Sequence, residues 1–266
     1  SKLGFAIEPE TAAAMRRQVH RLDCIAAERI REELTGLLCG RYVQRTLMAY
    51  ADLITSALPE LAPMLGCEQR NPHHLYNVWE HTVRAVGQVP AEPVLRWAML
   101  LHDSGKPACK TVDEQGIGHF RGHPRASLAL SRELLPRLRF SSEDTERILL
   151  LVERHDTPLG DNEKLVRRSL SRIGEARFRD LLAIKKGDAV GQGTSRDYVA
   201  QLFETEALLN HVLAQEQCFS LRQLAVNGAD LQALGLRGRP VGEMLHALLD
   251  AVIDGQTDNR RDTLLR

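Results

Sequence analysis

Histidine and aspartate residues stand at positions where they could jointly hold a divalent metal ion. The segment HDSGK at residues 102–106 closes an apolar run and offers an imidazole nitrogen beside a carboxylate oxygen. Such groups bind a divalent cation when further ligands reach it. Seven of the ten histidines fall between residues 73 and 155, a bunching that indicates a chemical role. The candidates that flank the segment are His81, His119, His123, His155, Asp156 and Asp188.

These residues predict a metal centre suited to phosphate chemistry. A bound divalent metal lowers the pKa of its water and neutralises charge on phosphate oxygens. We expect one ion to be held by four residues, His81, His102, Asp103 and Asp188. A second ion, held by His123 and His155 with Asp103 as the bridge, is an alternative that the sequence leaves open. The histidines expected to be non-ligands are His20, His73, His74, His211 and His246.

Residues around the predicted ligands have expected roles in catalysis. Lys106 can reach a phosphate oxygen as a point charge, and Gly105 is expected to free the backbone just before it. His119 either lines the pocket or binds the metal weakly. Asp156 is expected to orient His155 from outside the ligand shell, as carboxylates often do for metal-bound imidazoles. The predicted catalytic set is Asp103, Lys106 and His119.

Helices must position these groups, because apolar residues recur at helical spacing through almost the whole chain. This pattern predicts an all-α fold in which apolar helices lead into polar residues at a common cleft. One small β-hairpin is predicted over residues 110–120, with residues 113–116 as its turn. Residues 43–57 are expected to form one helix, and Asn71-Pro72 to break the chain near a domain boundary.

Composition limits the class of protein. The chain has 266 residues with 35 basic and 35 acidic side chains, so net charge favours no nucleic-acid or membrane partner. Five cysteines without CxxC spacing predict reduced thiols and a cytoplasmic location. The sequence has no pattern typical of a signal peptide and no apolar stretch of about 18 residues, so we expect no membrane partner.

The ligand pattern resembles that of the HD superfamily of metal-dependent phosphohydrolases. That superfamily carries a histidine, a His-Asp pair and a distal aspartate on helices. Members with two metals add two histidines before the last aspartate, as His123 and His155 do here. The resemblance implies one or two divalent ions, and manganese, nickel, cobalt, magnesium and iron all remain open because ligand type does not select among them.

A closer resemblance is to bacterial CCA-adding enzymes, the tRNA nucleotidyltransferases of the poly(A)-polymerase-like class. It rests on YNVWEH at residues 76–81, LLHDSGKP, GHFRGHP and LVERHD in the histidine-bearing part. LGFAIEPETAAAM and AERIREEL resemble that family's neck, and LAVNGADLQALGLRGRPVGEMLHALLDAV resembles its C-terminal helices. The resemblance implies a helical neck over residues 1–68, an HD domain over 69–215 and a helical tail over 216–266.

The chain departs from that family in one respect. The family's head carries a Gly-Ser motif, paired metal-binding aspartates and a basic template that selects CTP and ATP, and none of these motifs is present. We therefore expect that this chain alone does not add CCA. It is expected to be either a fragment that lacks an N-terminal nucleotidyltransferase head or a chain in which only the HD site is kept.

Residues 16–45 are locally basic, and two interpretations of this feature remain open. One is a solvated helical face with charge pairs at i,i+4 spacing. The other, favoured by the resemblance, is contact with phosphates along an RNA stem, which would be dependent on salt and tolerant of sequence. The predicted RNA-binding residues are Arg16, Arg17, Arg29 and Arg31.

Three functional hypotheses follow from the sequence. The first is a metal-dependent phosphohydrolase or phosphodiesterase that acts on nucleotides, 2′,3′-cyclic phosphates or RNA 3′ ends. The second is a non-catalytic tRNA-binding body of a CCA-adding enzyme. The third, a regulatory hydrolase of signalling nucleotides, lacks support because no sensor or dimerisation segment is visible; the oligomeric state is left open.

Overall fold

The computed structural model describes residues 1–71, 75–194, 196–215 and 217–266. The predicted chain break at Pro72 and the predicted non-ligands His73 and His74 fall outside these residues. The first helices are α1 (Pro9–Gln18), α2 (Ala27–Leu38), α3 (Val43–Ala49), α4 (Ala51–Ala57), α5 (Val78–Gln88), α6 (Pro93–Leu101) and α7 (Lys106–Cys109). The later helices are α8 (His123–Arg137), α9 (Ser142–Arg154), α10 (Glu163–Ile173), α11 (Glu175–Gln192), α12 (Arg196–Ala214), α13 (Gly228–Ala233), α14 (Arg239–Ile253) and α15 (Arg261–Leu264).

Short 3₁₀ helices and one hairpin complete the described secondary structure. The 3₁₀ helices span Val19–Cys24, Pro59–Met64 and Leu221–Gln223. Strands β1 (Thr111–Val112) and β2 (Gly118–His119) pair antiparallel, with Thr111 opposite His119. The predicted all-α fold with one small hairpin is therefore confirmed.

One predicted helix is wrong in its extent. Residues 43–57 form two helices rather than one, because the backbone leaves the helical region at Tyr50, with φ −127° and ψ 33°. Tyr50 ends α3 and directly precedes α4. The apolar spacing on which the prediction rested is equally compatible with two short helices that follow one another.

The chain forms two compact units. The first comprises residues 1–157 and 180–199, and the second comprises residues 158–179 and 200–266. The predicted boundaries after residues 68 and 215 stay a prediction. Among the described residues, no helix combines the length and the apolar character that crossing a lipid bilayer requires.

The core of the first unit is built around α6, which is buried over its whole length from Val94 to Leu101. Helix α6 packs against α2, α5 and α9, and α8 packs against α9. Trp97 on α6 is fully buried, and its indole nitrogen donates a hydrogen bond to Thr35 Oγ1 on α2 at 2.8 Å. A helix that is apolar on every side must be surrounded, which explains its central place.

Local capping sets where the core helices of this unit begin. The Asn77 side chain accepts from the Glu80 amide at 2.9 Å, and Glu80 accepts from the Asn77 amide in return. The Ser141 hydroxyl accepts from the Asp144 amide at 3.0 Å at the start of α9. Proline stands in the first turn of α6, where its missing N–H costs no helical hydrogen bond.

The second unit has a small apolar core of its own. It contains side chains of the C-terminal helices, including Leu249, Val252 and Ile253 on α14. Arg168 on α10 donates to both carboxylate oxygens of Asp254 at 2.6 and 2.8 Å, directly after α14. These charge-assisted contacts, both from Arg168 Nη2, link α10 to the end of α14 within the unit.

Candidate metal centre

Five elements of the first unit bring the predicted ligands together. His81 lies in the middle of α5, and His102 and Asp103 follow the last residue of α6. His123 begins α8, and His155 follows the last residue of α9. Asp188 lies inside α11, one turn before its end at Gln192. His81, His102, Asp103 and His155 are each at most 2% exposed.

The first group of ligand atoms joins α5, α6 and α11. His81 Nε2 lies 3.0 Å from Asp188 Oδ1 and 3.3 Å from Asp103 Oδ2. His102 Nε2 lies 3.2 Å from Asp103 Oδ2 and 3.6 Å from Asp188 Oδ1. The Nε2 atoms of His81 and His102 are 3.4 Å apart. Two imidazole nitrogens and two carboxylate oxygens therefore face one point.

The second group shares Asp103 through its other oxygen. Asp103 Oδ1 lies 3.3 Å from His123 Nε2 and 3.9 Å from His155 Nε2. The two imidazole nitrogens are 3.2 Å apart. His81, His102 and Asp103 in the first group, and Asp103, His123 and His155 in the second, offer ligand atoms that all lie within 4.8 Å of one another, so each trio could hold a metal ion. Asp103 thus lies between the groups, as a bridging carboxylate would.

Backbone carbonyls fix the orientation of three of these imidazoles. His102 Nδ1 donates to the Met99 carbonyl at 2.7 Å, and His155 Nδ1 donates to the Val152 carbonyl at 2.8 Å. His123 Nδ1 donates to the Phe120 carbonyl at 2.9 Å. Because Nδ1 holds the proton, the neutral ring presents an Nε2 lone pair, which is the form that binds metals.

The spacing fits a divalent cation. Ligand atoms at about 2.1 Å from a metal lie about 3.0 Å apart in adjacent octahedral positions and about 3.4 Å apart in a tetrahedron. The distance of 3.4 Å between His81 and His102 and that of 3.2 Å between His123 and His155 lie in or beside this range. Two neutral imidazoles would repel each other through their Nε2 lone pairs at such distances, so a cation or a proton must lie between them.

The field inside the first group is strongly negative. Burial alone would lower the pKa of His102, but the charges of Asp103 and Asp188 outweigh it and raise that pKa to about 10. Burial would raise the pKa of Asp188, yet hydrogen bonds from His102 and His81 hold it well below its usual value. Such a field attracts a cation as well as protons, and metal binding would release the protons.

His155 lies in a different environment from His102. Burial and the nearby positive His102 lower the pKa of His155, which favours the neutral imidazole. A neutral ring is ready to bind a metal without first losing a proton. The two groups therefore differ in how strongly protons compete for them.

Lys106 lies beside the shared aspartate. Its ammonium is 2.7 Å from Asp103 Oδ2 and donates to Gln69 Oε1 at 3.0 Å, and the side chain is buried. The predicted contact between Lys106 and a phosphate oxygen stays a prediction. Lys106 also lines the cavity in front of the ligands.

Gly105 has a packing role instead of the backbone role that the sequence predicted. Its φ of −83° and ψ of −10° are open to any residue. A Cβ atom here would lie 2.4 Å from the Ser127 amide nitrogen of α8, and the Gly105 amide donates to Ser127 Oγ at 2.9 Å. The glycine therefore lets the HDSGK turn lie directly against α8.

His119 lies on β2 at the wall of the cavity. Its Nε2 is 2.8 Å from Asp113 Oδ2, and its side chain is 39% exposed. The ligand groups do not include His119, at least within the described residues. The predicted catalytic role of His119 stays a prediction. The predicted non-ligands His20, His211 and His246 also lie outside both groups.

A cavity of about 400 Å³ opens onto the ligands. Its wall contains Asp103, His123, His155 and Asp188 together with the cationic side chains of Lys106 and Arg121. The volume suits a small phosphorylated group. The wall also carries three carboxylates, those of Asp103, Asp156 and Asp188, so a bound metal would be needed to offset them before an anionic guest could enter.

One residue of the site escaped the sequence prediction, and another lies on a different side of its neighbour from the side predicted. Lys185 on α11 is 3% exposed, and its ammonium donates to the His155 carbonyl at 2.6 Å. A lysine one turn before Asp188 in the run LLAIKKGD was the available signal. The sequence predicts that Asp156 orients His155 from outside the ligand shell. Its Oδ1 instead lies 3.3 Å from His155 Nε2, the nitrogen that would bind a metal. The repeated His-Asp dipeptide could have indicated this.

The predicted RNA-binding arginines lie in two kinds of environment. Arg16 pairs with Asp52 at 2.6 Å, and Arg31 donates to the Arg139 carbonyl and lies over the Phe140 ring. The guanidinium groups of Arg17 and Arg29 are exposed, with no ion pair among the residues that the structure describes. Arg17 and Arg29 are therefore available to an external phosphate, whereas Arg16 and Arg31 already have partners.

The fold and the site define a mostly helical protein with a buried His/Asp centre suited to divalent metals. Residues 4–65 match the family model described as "Probable RNA and SrmB- binding site of polymerase A". The chain is 33% identical to the A-adding tRNA nucleotidyltransferase of Deinococcus radiodurans, over 94% of this chain and 61% of the relative. It is also 33% identical to the CC-adding tRNA nucleotidyltransferase of Thermus thermophilus, over 98% of this chain and 62% of the relative.

A solved structure supports the same relationship at the level of fold. The CCA-adding enzyme of Bacillus stearothermophilus, solved in complex with CTP, matches with a TM-score of 0.61 and 21% identity, over 100% of this chain and 57% of that chain. The chain is thus related to the tRNA nucleotidyltransferases over nearly its whole length, which confirms the predicted resemblance. It spans about three fifths of the length of these relatives.

Proposed function

We propose that this chain is the tRNA-binding body of a tRNA nucleotidyltransferase. The observation that carries the proposal is the RNA-binding family model over residues 4–65, in a chain whose relatives are tRNA nucleotidyltransferases. Nucleotide addition would belong to the part of the relatives that this chain does not match. The 266 residues lack the head motifs that selection of CTP and ATP requires.

The exposed arginines of residues 4–65 would supply the first contacts with RNA. Arg17 and Arg29 would bind phosphates directly, while Arg16 would have to exchange Asp52 for a phosphate oxygen. Such contacts read the shape and charge of an RNA stem and not its base sequence. Binding should therefore weaken steeply as salt rises, because each phosphate contact releases counterions.

A gel-shift titration with tRNA across salt concentrations tests this proposal. We expect tRNA to bind more tightly than an unstructured RNA of equal length and charge at the same salt. The unstructured RNA is the matched control, since it offers the same phosphates without the stem. Absence of binding at low salt, or equal affinity for both RNAs, would refute the tRNA-binding function.

A second function, metal-dependent phosphoester hydrolysis, is proposed for the His/Asp centre. The specific observation that favours it is the pair of ligand groups on either side of Asp103, beside a cavity that Lys106 and Arg121 also line. A bound divalent metal would supply an activated water. Lys106 would hold a phosphate oxygen, and His119 would stabilise negative charge from the cavity wall. Substrates of this class are nucleotides, 2′,3′-cyclic phosphates and RNA 3′ ends.

Hydrolysis assays on a panel of phosphoesters with manganese, nickel, cobalt or magnesium test the second function. We expect turnover with at least one metal and loss of turnover in Asp103→Asn. The matched control is Glu153→Gln, which alters an exposed carboxylate in the last turn of α9 and none of the six predicted ligands. Failure of every metal and every substrate in a folded sample would leave the tRNA-binding proposal as the function of this chain.

A further inference from the structure

The chain ends two of its core helices in the same way. His102-Asp103 follows α6, and His155-Asp156 follows α9. The two histidines have nearly equal backbone angles, with φ −54° and ψ −39° at the first and φ −56° and ψ −33° at the second. Each imidazole donates from Nδ1 to the carbonyl three residues earlier, at 2.7 and 2.8 Å. Both dipeptides therefore present an imidazole Nε2 and a carboxylate towards the same centre.

Asp156 lies on the metal-binding side of its neighbours. Its Oδ1 is 3.3 Å from His155 Nε2, and its Oδ2 is 3.4 Å from His123 Nε2. A carboxylate that merely orients a ligating imidazole accepts the proton of the other ring nitrogen. In both histidines that proton already bonds to a backbone carbonyl. The position of Asp156 is thus that of a ligand and not of an orienting group.

Once Asp156 is counted, each ligand group has two imidazoles and one carboxylate of its own besides the shared Asp103. On one side of Asp103 stand two imidazoles and Asp188, and on the other side stand two imidazoles and Asp156. Lys185 binds the His155 carbonyl, which holds the end of α9 and hence the second dipeptide in place. The groups differ in access, because the Asp156 side chain is 54% exposed and that of Asp188 is 14% exposed.

We propose that Asp156 is a ligand of a second divalent cation and completes a four-residue site with Asp103, His123 and His155. The inference rests on the metal centre proposed above, whose hydrolytic activity it does not require. The exposed carboxylate makes this site the more open of the two. The second ion is therefore expected to bind more weakly and to exchange faster than the first ion.

Titration of the metal-free full chain with Mn²⁺ alone, with bound metal counted after equilibrium dialysis, tests the inference without any activity assay. We expect two ions per wild-type chain. In Asp156→Ala the tight ion should stay bound, and the affinity for the second ion should fall by at least about 100-fold. A fall of that size is the upper limit for loss of an outer hydrogen-bond partner. Asp188→Ala should affect the tight ion instead. The matched control is Glu153→Ala, an exposed carboxylate in the last turn of α9, which should bind two ions as the wild type does.

The possible outcomes separate the inference from the metal centre itself. If Asp156→Ala binds two ions with wild-type affinity, Asp156 is not a ligand, although the centre stands. If the wild type binds one ion, the second site is refuted and the hydrolase proposal keeps its first ion. If the wild type binds none, both proposals fall. Asp156→Asn, which keeps the shape of the side chain, should also lower the affinity for the second ion. That result would exclude a purely steric effect of the alanine substitution.

Discussion

The charged groups of the His/Asp centre are mostly buried, whereas the arginines of residues 4–65 are mostly exposed to solvent. In the centre, four ligand side chains that are at most 2% exposed face one another with their polar atoms. Along residues 4–65, charged groups stand in solvent, and some of them pair with neighbours. Both regions lie in the first unit of the chain.

The difference lies in what each arrangement costs. Taking charged groups out of water is expensive unless partners or a metal compensate them, so a buried cluster requires a strong compensating interaction. Exposed charges cost little and stabilise little, so their positions are weakly constrained. A buried constellation is therefore a sharper indication of function than a basic surface of the same number of residues.

Removing the shared aspartate should have the largest effect. Asp103→Asn removes the negative charge that both ligand groups share. The affinity for each ion should therefore fall by more than the roughly 10- to 100-fold that loss of an outer hydrogen-bond partner costs. Metal counting by equilibrium dialysis with Mn²⁺ measures this change. Glu153→Gln is the control and should bind as the wild type does. Retention of both ions with wild-type affinity in Asp103→Asn would show that Asp103 does not bridge two metal sites.

Trp97 connects the two regions, since its indole on α6 bonds to Thr35 on α2 and packs edge-on against Phe140 at 5.2 Å. Trp97→Ala should lower the free energy of unfolding by about 3–5 kcal/mol, because it empties a large buried volume. Thr35→Val keeps the shape of the side chain but leaves the indole N–H without its hydrogen-bond partner. This change should lower the free energy of unfolding by about 1–3 kcal/mol. Chemical denaturation measures both changes, and a loss below 1 kcal/mol in Trp97→Ala would refute this account of the core.

The exposed region can be tested with substitutions of Arg17 on α1 and of Arg29 and Arg31 on α2. Arg29→Gln should lower the slope of log affinity for tRNA against log salt by about 1, and a double change with Arg17→Gln by about 2. Arg31→Gln is the matched comparison, because its guanidinium already binds the Arg139 carbonyl. It should leave the slope near that of the wild type and lower the free energy of unfolding by about 1 kcal/mol. Equal slopes in all variants would remove residues 4–65 from the RNA contact.

The sequence predicts the buried centre better than the surface, for a physical reason. His102-Asp103 and His155 stand where apolar helices end, so periodicity marks these helices as core elements, and the resemblance to a known ligand pattern relates their ends to one another. The partners of the arginines are not encoded nearby: Asp52 is 36 residues from Arg16, and Arg139 is 108 residues from Arg31. Long-range pairing depends on how helices pack, which periodicity does not specify.

Two local features escaped prediction for a similar reason. The break at Tyr50 leaves the apolar spacing of residues 43–57 unchanged, so nothing in the pattern marks it. The role of Gly105 depends on how closely α8 approaches, a distance that appears only after folding. Asp156 differs from both, because the dipeptide HD at residues 155–156 repeats the HD of residues 102–103, so the sequence itself carries the signal.

The smallest effect is expected from Asp52, the partner of Arg16. Asp52→Asn frees the Arg16 guanidinium and removes a negative charge, so affinity for tRNA should rise by about two- to fivefold at low salt. The hydrogen bond from Arg16 lowers the pKa of Asp52 below its usual 3.8, so the pair persists at neutral pH and is lost only as pH falls through that lowered value. The gain should therefore be constant between about pH 5 and 8. Gel shifts at both limits of this range measure it, with Asp23→Asn, an exposed carboxylate in the 3₁₀ helix after α1, as the charge-matched control. An equal gain in both variants would assign the effect to net charge alone and would mean that Arg16 does not contact RNA.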